Sequence, residues 1–122
     1  TKAASPKPTL DKLEKLILKS LDVHKADDVV SIDLAGKSDF ADRMIVASGI
    51  SQRHTVALAA YVVEMLKKNG YEHVPTEGEE AGDWVLVDAG NIIVHLFRPE
   101  TRTHYNLEKM WSVMLPHAEA AH

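Results

Sequence analysis

Two pairs of short β-branched runs stand on either side of one long amphipathic stretch, and that arrangement limits the chain more than any other feature. Residues 29–34 and 44–48 form the first pair, separated by the turn-forming Ala35-Gly36-Lys37-Ser38-Asp39. Trp84–Asp88 and Ile92–Phe97 form the second, separated by the tight turn Asp88-Ala89-Gly90-Asn91. Runs of this length with short connections read as antiparallel hairpins. Between the pairs, Ser51 is placed to cap a helix reaching to about Asn69, with Val56, Ala59, Ala60, Val63 and Leu66 marking its buried face. Lys67 and Lys68 suit the negative end of its dipole, and Gly70 suits the position after its last turn. An earlier helix starts after Thr9 and runs to about Leu21, with Leu10, Leu13, Ile17 and Leu21 on one face. Residues 71–77 extend before Gly78, so the long helix is a strand–helix–strand crossover, a connection that joins parallel strands. Pro99 ends the last strand because it lacks a ladder donor, and a short helical stretch is predicted over residues 101–111. The order α-β-β-α-β-β-β-α predicts an α/β (α+β) fold: a mixed sheet of about five strands with flanking helices.

The 122 residues hold one domain, and a hydrophobic content of 45% is enough to give it a core. Residues 1–8 read as a flexible arm, 9–115 as the domain, and 116–122 as a tail without pattern. Cysteine is absent, which excludes a disulfide scaffold, a thiolate zinc site and a cysteine nucleophile. No apolar run approaches about 18 residues, so no membrane-spanning helix is expected. The formal net charge of -4 offers none of the cation excess that a non-specific nucleic-acid binder needs. The acidity is local: residues 70–97 carry Glu72, Glu77, Glu79, Glu80, Asp83 and Asp88, and no Lys or Arg. A local negative field favours a basic partner; the plainer reading is a solvated loop around Glu79-Glu80.

The chain carries neither a Gly-x-x-x-x-Gly-Lys loop nor a Gly-x-Ser-x-Gly turn nor His-Glu-x-x-His, and its seven His are scattered, so no metal site or cofactor is expected. The junction Ser48-Gly49-Ile50-Ser51, with Arg53 and His54 behind it, is the kind of turn that can hold an anion on backbone N–H groups. Nucleotide-transferring enzymes with mixed sheets also need two carboxylates alternating on one strand to hold a divalent metal. Asp33 and Asp88 each stand alone, so Ser51 reads as a plain helix cap and no catalytic residue is assigned. A nucleotide-binding or nucleotide-transferring domain using Ser48, Gly49 and Ser51 is the enzymatic alternative, and a bare dimerisation module a third. A binding surface has more support. Alternation puts Trp84, Leu86 and Asp88 on one face of their strand and Val85 and Val87 on the other, while His95 shares a face with Ile93 and Phe97. Arg98, Tyr105 and Trp111 follow, and Trp, Tyr and Arg dominate interface energies. An equal reading has Trp84 and Trp111 completing a small core.

Seven blocks in order resemble the ribosomal silencing factor family, also called RsfS or Iojap. They are Lys25-Ala26-Asp27-Asp28-Val29-Val30 leading to Asp33, Gly36-Lys37-Ser38, Ala47-Ser48-Gly49 with Ser51-x-Arg53-His54, Glu77-Gly78, Gly82-Asp83-Trp84-Val85-Leu86-Val87-Asp88, Val94-His95-Leu96-Phe97-Arg98-Pro99, and Tyr105-Asn106-Leu107-Glu108-Lys109-Met110-Trp111. The resemblance implies a nucleotidyltransferase-like fold without the catalytic carboxylate pair, and a protein that is not an enzyme. It implies binding to the large ribosomal subunit through its fourteenth ribosomal protein, a basic partner. Joining of the small subunit is then blocked and translation repressed in stationary phase or starvation. It further implies a homodimer when free, and a bacterial cytoplasmic location. Carried onto this chain, it makes Trp84 the leading contact, with Asp83, Leu86, Asp88, His95, Arg98 and Tyr105 behind it.

Overall fold

The computed structural model describes residues 8–34 and 41–100. The Thr9 hydroxyl accepts from the Lys12 N–H and opens α1 (Leu10–Val23), whose stripe Leu13, Ile17 and Leu21 is buried. β1 (Asp27–Asp33) and β2 (Arg43–Ser48) then pair antiparallel, as the hairpin reading requires. β1 begins ahead of residue 29 because a register irregularity between Asp27 and Val30, with Asp28 at φ 51°, lets Asp27 pair with Ser48. Ser51 caps α2 (Gln52–Lys68), its side chain accepting from the His54 N–H, and Lys67 and Lys68 sit in the last turn. β3 (Thr76–Glu77), β4 (Trp84–Asp88) and β5 (Ile92–Phe97) complete a five-stranded sheet in the order β1-β2-β5-β4-β3. β2 and β5 are parallel and the other neighbours antiparallel, so the sheet is mixed and the fold α+β.

Three expectations change in detail. The crossover through α2 returns β3 in the direction of β2, but β5 and β4 lie between them. The extension over 71–77 contracts to two residues, since the Tyr71 N–H closes α2 on the Leu66 carbonyl at 3.1 Å and Pro75 has no N–H to donate. The buried face of α2 is Thr55, Leu58, Ala59, Val62 and Leu66. Of the expected face only Ala59 and Leu66 are buried; Val56 and Val63 are half-buried and Ala60 is exposed. α2 is apolar over a wide arc, and the sheet takes the part through Leu58 and Val62.

Both helices lie on one face of the sheet. Their stripes meet Ile45, Ala47, Val85, Val87, Val94 and Leu96 in one continuous core, each fully buried aliphatic side chain contributing roughly 1.5–3 kcal/mol relative to exposure. Arg43 ties α1 to the strands: its guanidinium donates to Glu14 Oε1 and to Asp11 Oδ1, both at 2.8 Å. The opposite face carries a second cluster of Leu34, Met44, Val46 and Phe97, with Ile32 and Trp84 packed against it. The turn expected at 35–39, the helical stretch at 101–111 with Tyr105 and Trp111, and the tail at 116–122 lie outside the described residues, as do residues 1–7 of the expected arm. Among the described residues no helix is long and apolar enough to cross a membrane.

Candidate functional site

β4 and β5 present alternate side chains to the second face, and their register decides which of the sequence-predicted residues meet. Trp84 pairs with Phe97, Leu86 with His95 and Asp88 with Ile93. Trp84, Leu86 and Asp88 are half-buried, whereas Val85 and Val87 are fully buried on the helix side. The Trp84 indole stacks on Phe97 with ring centroids 4.9 Å apart, and its Nε1–H donates to His95 Nδ1 at 3.0 Å. An accepting Nδ1 fixes the His95 tautomer with its proton on Nε2. His95 is only 4% exposed, and burial pushes its pKa down to about 4, so the ring is neutral at pH 7.

Asp83 and Arg98 flank the aromatic group from the strand ends. Arg98 Nη2 lies 2.8 Å from Asp83 Oδ1, and the Arg98 N–H donates to the Asp83 carbonyl at 3.3 Å. Arg98 Nε is buried with no hydrogen-bond partner among the described residues. The approach to Trp84 is set by the loop before it. The Gln52 amide donates to the Ala81 carbonyl, and the Gly82 N–H to the Gly78 carbonyl at 2.9 Å. Gly78 has φ +88°, and a Cβ there would lie 2.1 Å from the Trp84 carbonyl oxygen. On this loop Glu77, Glu79 and Glu80 are exposed. Hydrogen bonds from the Thr76 hydroxyl and from its own backbone N–H hold the Glu79 carboxyl below its ordinary range.

The structure therefore gathers Asp83, Trp84, His95 and Arg98, with Leu86 opposite His95 two pairs further along β4. Asp88 sits at the far end of that strand, where its Oδ1 accepts from the Gly90 N–H at 2.8 Å and shapes the hairpin turn. Tyr105 is outside the described residues. Phe97, fully buried beneath Trp84, is the member that the site assignment missed, although period-two alternation already put it on the face of His95.

Elsewhere the chemistry is structural. At the Ser48–Ser51 junction the Gly49 N–H donates to the Phe97 carbonyl at 2.9 Å and the Ile50 N–H to His54 Nδ1 at 2.9 Å. His54 Nε2 in turn reaches the His24 carbonyl at 2.8 Å. Two of the N–H groups that would cradle an anion are thus already paired. A groove of about 670 Å³ runs between α2 and β3, lined by Val56, Ala59, Val63, Lys67, Val74 and Glu79, and holds none of the predicted site residues. Among the described residues no group of three His, Asp or Glu could hold a metal ion.

Residues 7–121 match the family described as "Ribosomal silencing factor during starvation". The ribosomal silencing factor RsfS of Zymomonas mobilis is 51% identical over 100 residues, covering 81% of this chain and 74% of that one. A mouse protein named mitochondrial assembly of ribosomal large subunit protein 1 is 36% identical over 101 residues, covering 80% of this chain and 44% of its own length. A crystal structure of a Chromobacterium violaceum protein superposes with a TM-score of 0.81 at 38% identity, covering 85% of this chain and 87% of that one. By sequence over nearly its whole length, the chain belongs to the ribosomal silencing factor family.

Proposed function

We propose that the chain represses translation without catalysis, by docking on the large ribosomal subunit through that subunit's fourteenth ribosomal protein and keeping the small subunit from joining. Repression of this kind belongs to stationary phase or starvation in a bacterial cytoplasm, and the free protein pairs with a second copy. The observation that carries the reading is the part-exposed Trp84, clamped by Phe97 and His95, at the edge of a stretch rich in exposed carboxylates. A rigid aromatic anchor beside acidic groups is the surface that a basic protein would recognise. The family name and the large-subunit name of the mouse relative point the same way. A domain of this size spans roughly 25 Å or more, and a body that wide on the joining face leaves no room for a tight subunit interface. The enzymatic alternative at Ser48, Gly49 and Ser51 is weakened by the internal pairing of that turn.

Sedimentation of isolated subunits through a sucrose gradient tests the proposal. The protein should travel with the large subunit and suppress joined ribosomes as its concentration rises. Joined ribosomes forming normally in its saturating presence would overturn the reading. Stabilisation by a nucleoside triphosphate with magnesium, without co-sedimentation, would favour the enzyme.

A further inference from the structure

We infer that His95 is a positioning residue: through the Trp84 Nε1–H···Nδ1 bond it fixes the indole in the orientation that meets the partner, and it does not touch the partner itself. The inference rests on the docking reading above. Its support is geometric. His95 lies on β5 between Val46 of β2 and Leu86 of β4, and it is buried where Trp84 is part-exposed. Its ring accepts from the indole at 3.0 Å across the diagonal of the β4–β5 pair, while Phe97 stacks beneath that indole. That hydrogen bond and that ring face, among the described residues, leave the tryptophan few other rotamers to sample. An anchor that is already ordered loses less freedom on binding, which is how a buried neighbour contributes to affinity without contact. The acceptor role also explains why a histidine occupies a buried position between apolar neighbours: leucine there would leave the indole N–H without its partner.

Two readouts separate positioning from contact and from simple packing. The first is the Trp84 indole 1H–15N signal, identified as the one lost in Trp84→Phe. In His95→Leu it should move upfield and exchange faster with water. In His95→Asn, whose Oδ1 can stand close to where Nδ1 stood, it should stay near its original place. The second is a double-mutant cycle on large-subunit affinity. His95→Leu should weaken binding about tenfold in the natural chain, less than twofold in the Trp84→Phe background, and His95→Asn should recover most of the loss. An unmoved indole signal in His95→Leu would overturn the inference, as would losses from the two positions that multiply independently. Natural protein that fails to sediment with large subunits would remove the docking reading and the positioning role together. The indole signal would still report whether the hydrogen bond exists, so the two failures are distinguishable.

Discussion

Trp84 and His95 make opposite uses of the same face. Trp84 is a large side chain that stays part-exposed while its neighbours Phe97 and Val46 are buried, so its truncation should be felt chiefly in binding. Trp84→Ala should cost about 2 kcal/mol or more of large-subunit affinity, roughly 30-fold, read as faster dissociation from immobilised subunits by a variant whose circular dichroism is unchanged. His95 should be felt in stability, and the sign follows from its proton. Its pKa falls from 6.5 to about 4 on folding because burial disfavours the imidazolium. Between those values the unfolded chain binds a proton that the folded chain refuses, so stability is complete above pH 6.5 and is lost as pH falls toward 4. The loss across that window should be about 3 kcal/mol. Urea midpoints measured at pH 7 and pH 4.5 should therefore diverge more for the natural chain than for His95→Asn, which cancels the carboxylate contributions that both share. Equal divergence would place the titration elsewhere.

Short elements and the two antiparallel hairpins were legible; the order of the strands across the sheet was not. The caps Thr9 and Ser51, the Asp88–Asn91 turn and the β4 alternation are local signals, and each appears where the sequence puts it. The rotation of α2, the shortening of β3 and the parallel pairing of β2 with β5 depend on which distant surface each element meets, and no local period encodes that. The site divides the same way. The shared face of Trp84 and Leu86, and that of His95 and Phe97, follow from period two. The indole–imidazole bond and the Asp83–Arg98 pair need the cross-strand register. Asp88 is both a site candidate and the first residue of the expected Asp88–Asn91 turn, and in the structure its carboxylate serves that turn. The turns also differ in how much they tolerate. A Cβ at Gly78 would collide with the Trp84 backbone at a left-handed φ, whereas one at Gly90, also left-handed, would meet nothing within 4 Å. Gly90→Ala should cost about 1 kcal/mol in urea unfolding. Gly78→Ala should cost roughly 3 kcal/mol or more and should also shift the Trp84 indole signal, because the carbonyl it displaces belongs to that residue.

Charge is distributed unevenly along the chain, and the consequence for the proposed docking is kinetic. With the chain at -4 overall and residues 70–97 free of Lys and Arg, the field near the β3–β4 loop is negative while Asp83 is partly compensated by Arg98. The exposed carboxylates of that loop are Glu77, Glu79 and Glu80, with Glu79 sharing its groove with Lys67, and they stand beside the aromatic anchor in sequence without being part of it. Exposed charges of this kind steer encounter and contribute little to the docked state, while a packed aromatic acts on the lifetime of the complex. Their effects should separate. The double variant Glu79→Lys and Glu80→Lys should slow association with large subunits on the order of tenfold at low salt, leave dissociation nearly unchanged, and lose most of its effect as ionic strength approaches 1 M and the screening length shrinks to about 3 Å. Trp84→Ala should do the reverse, speeding dissociation at every salt concentration. Rapid-mixing measurements on labelled protein distinguish the two, since a charge reversal that acted on dissociation would mean that these glutamates lie inside the contact and that the acidic loop is a bonded part of the interface.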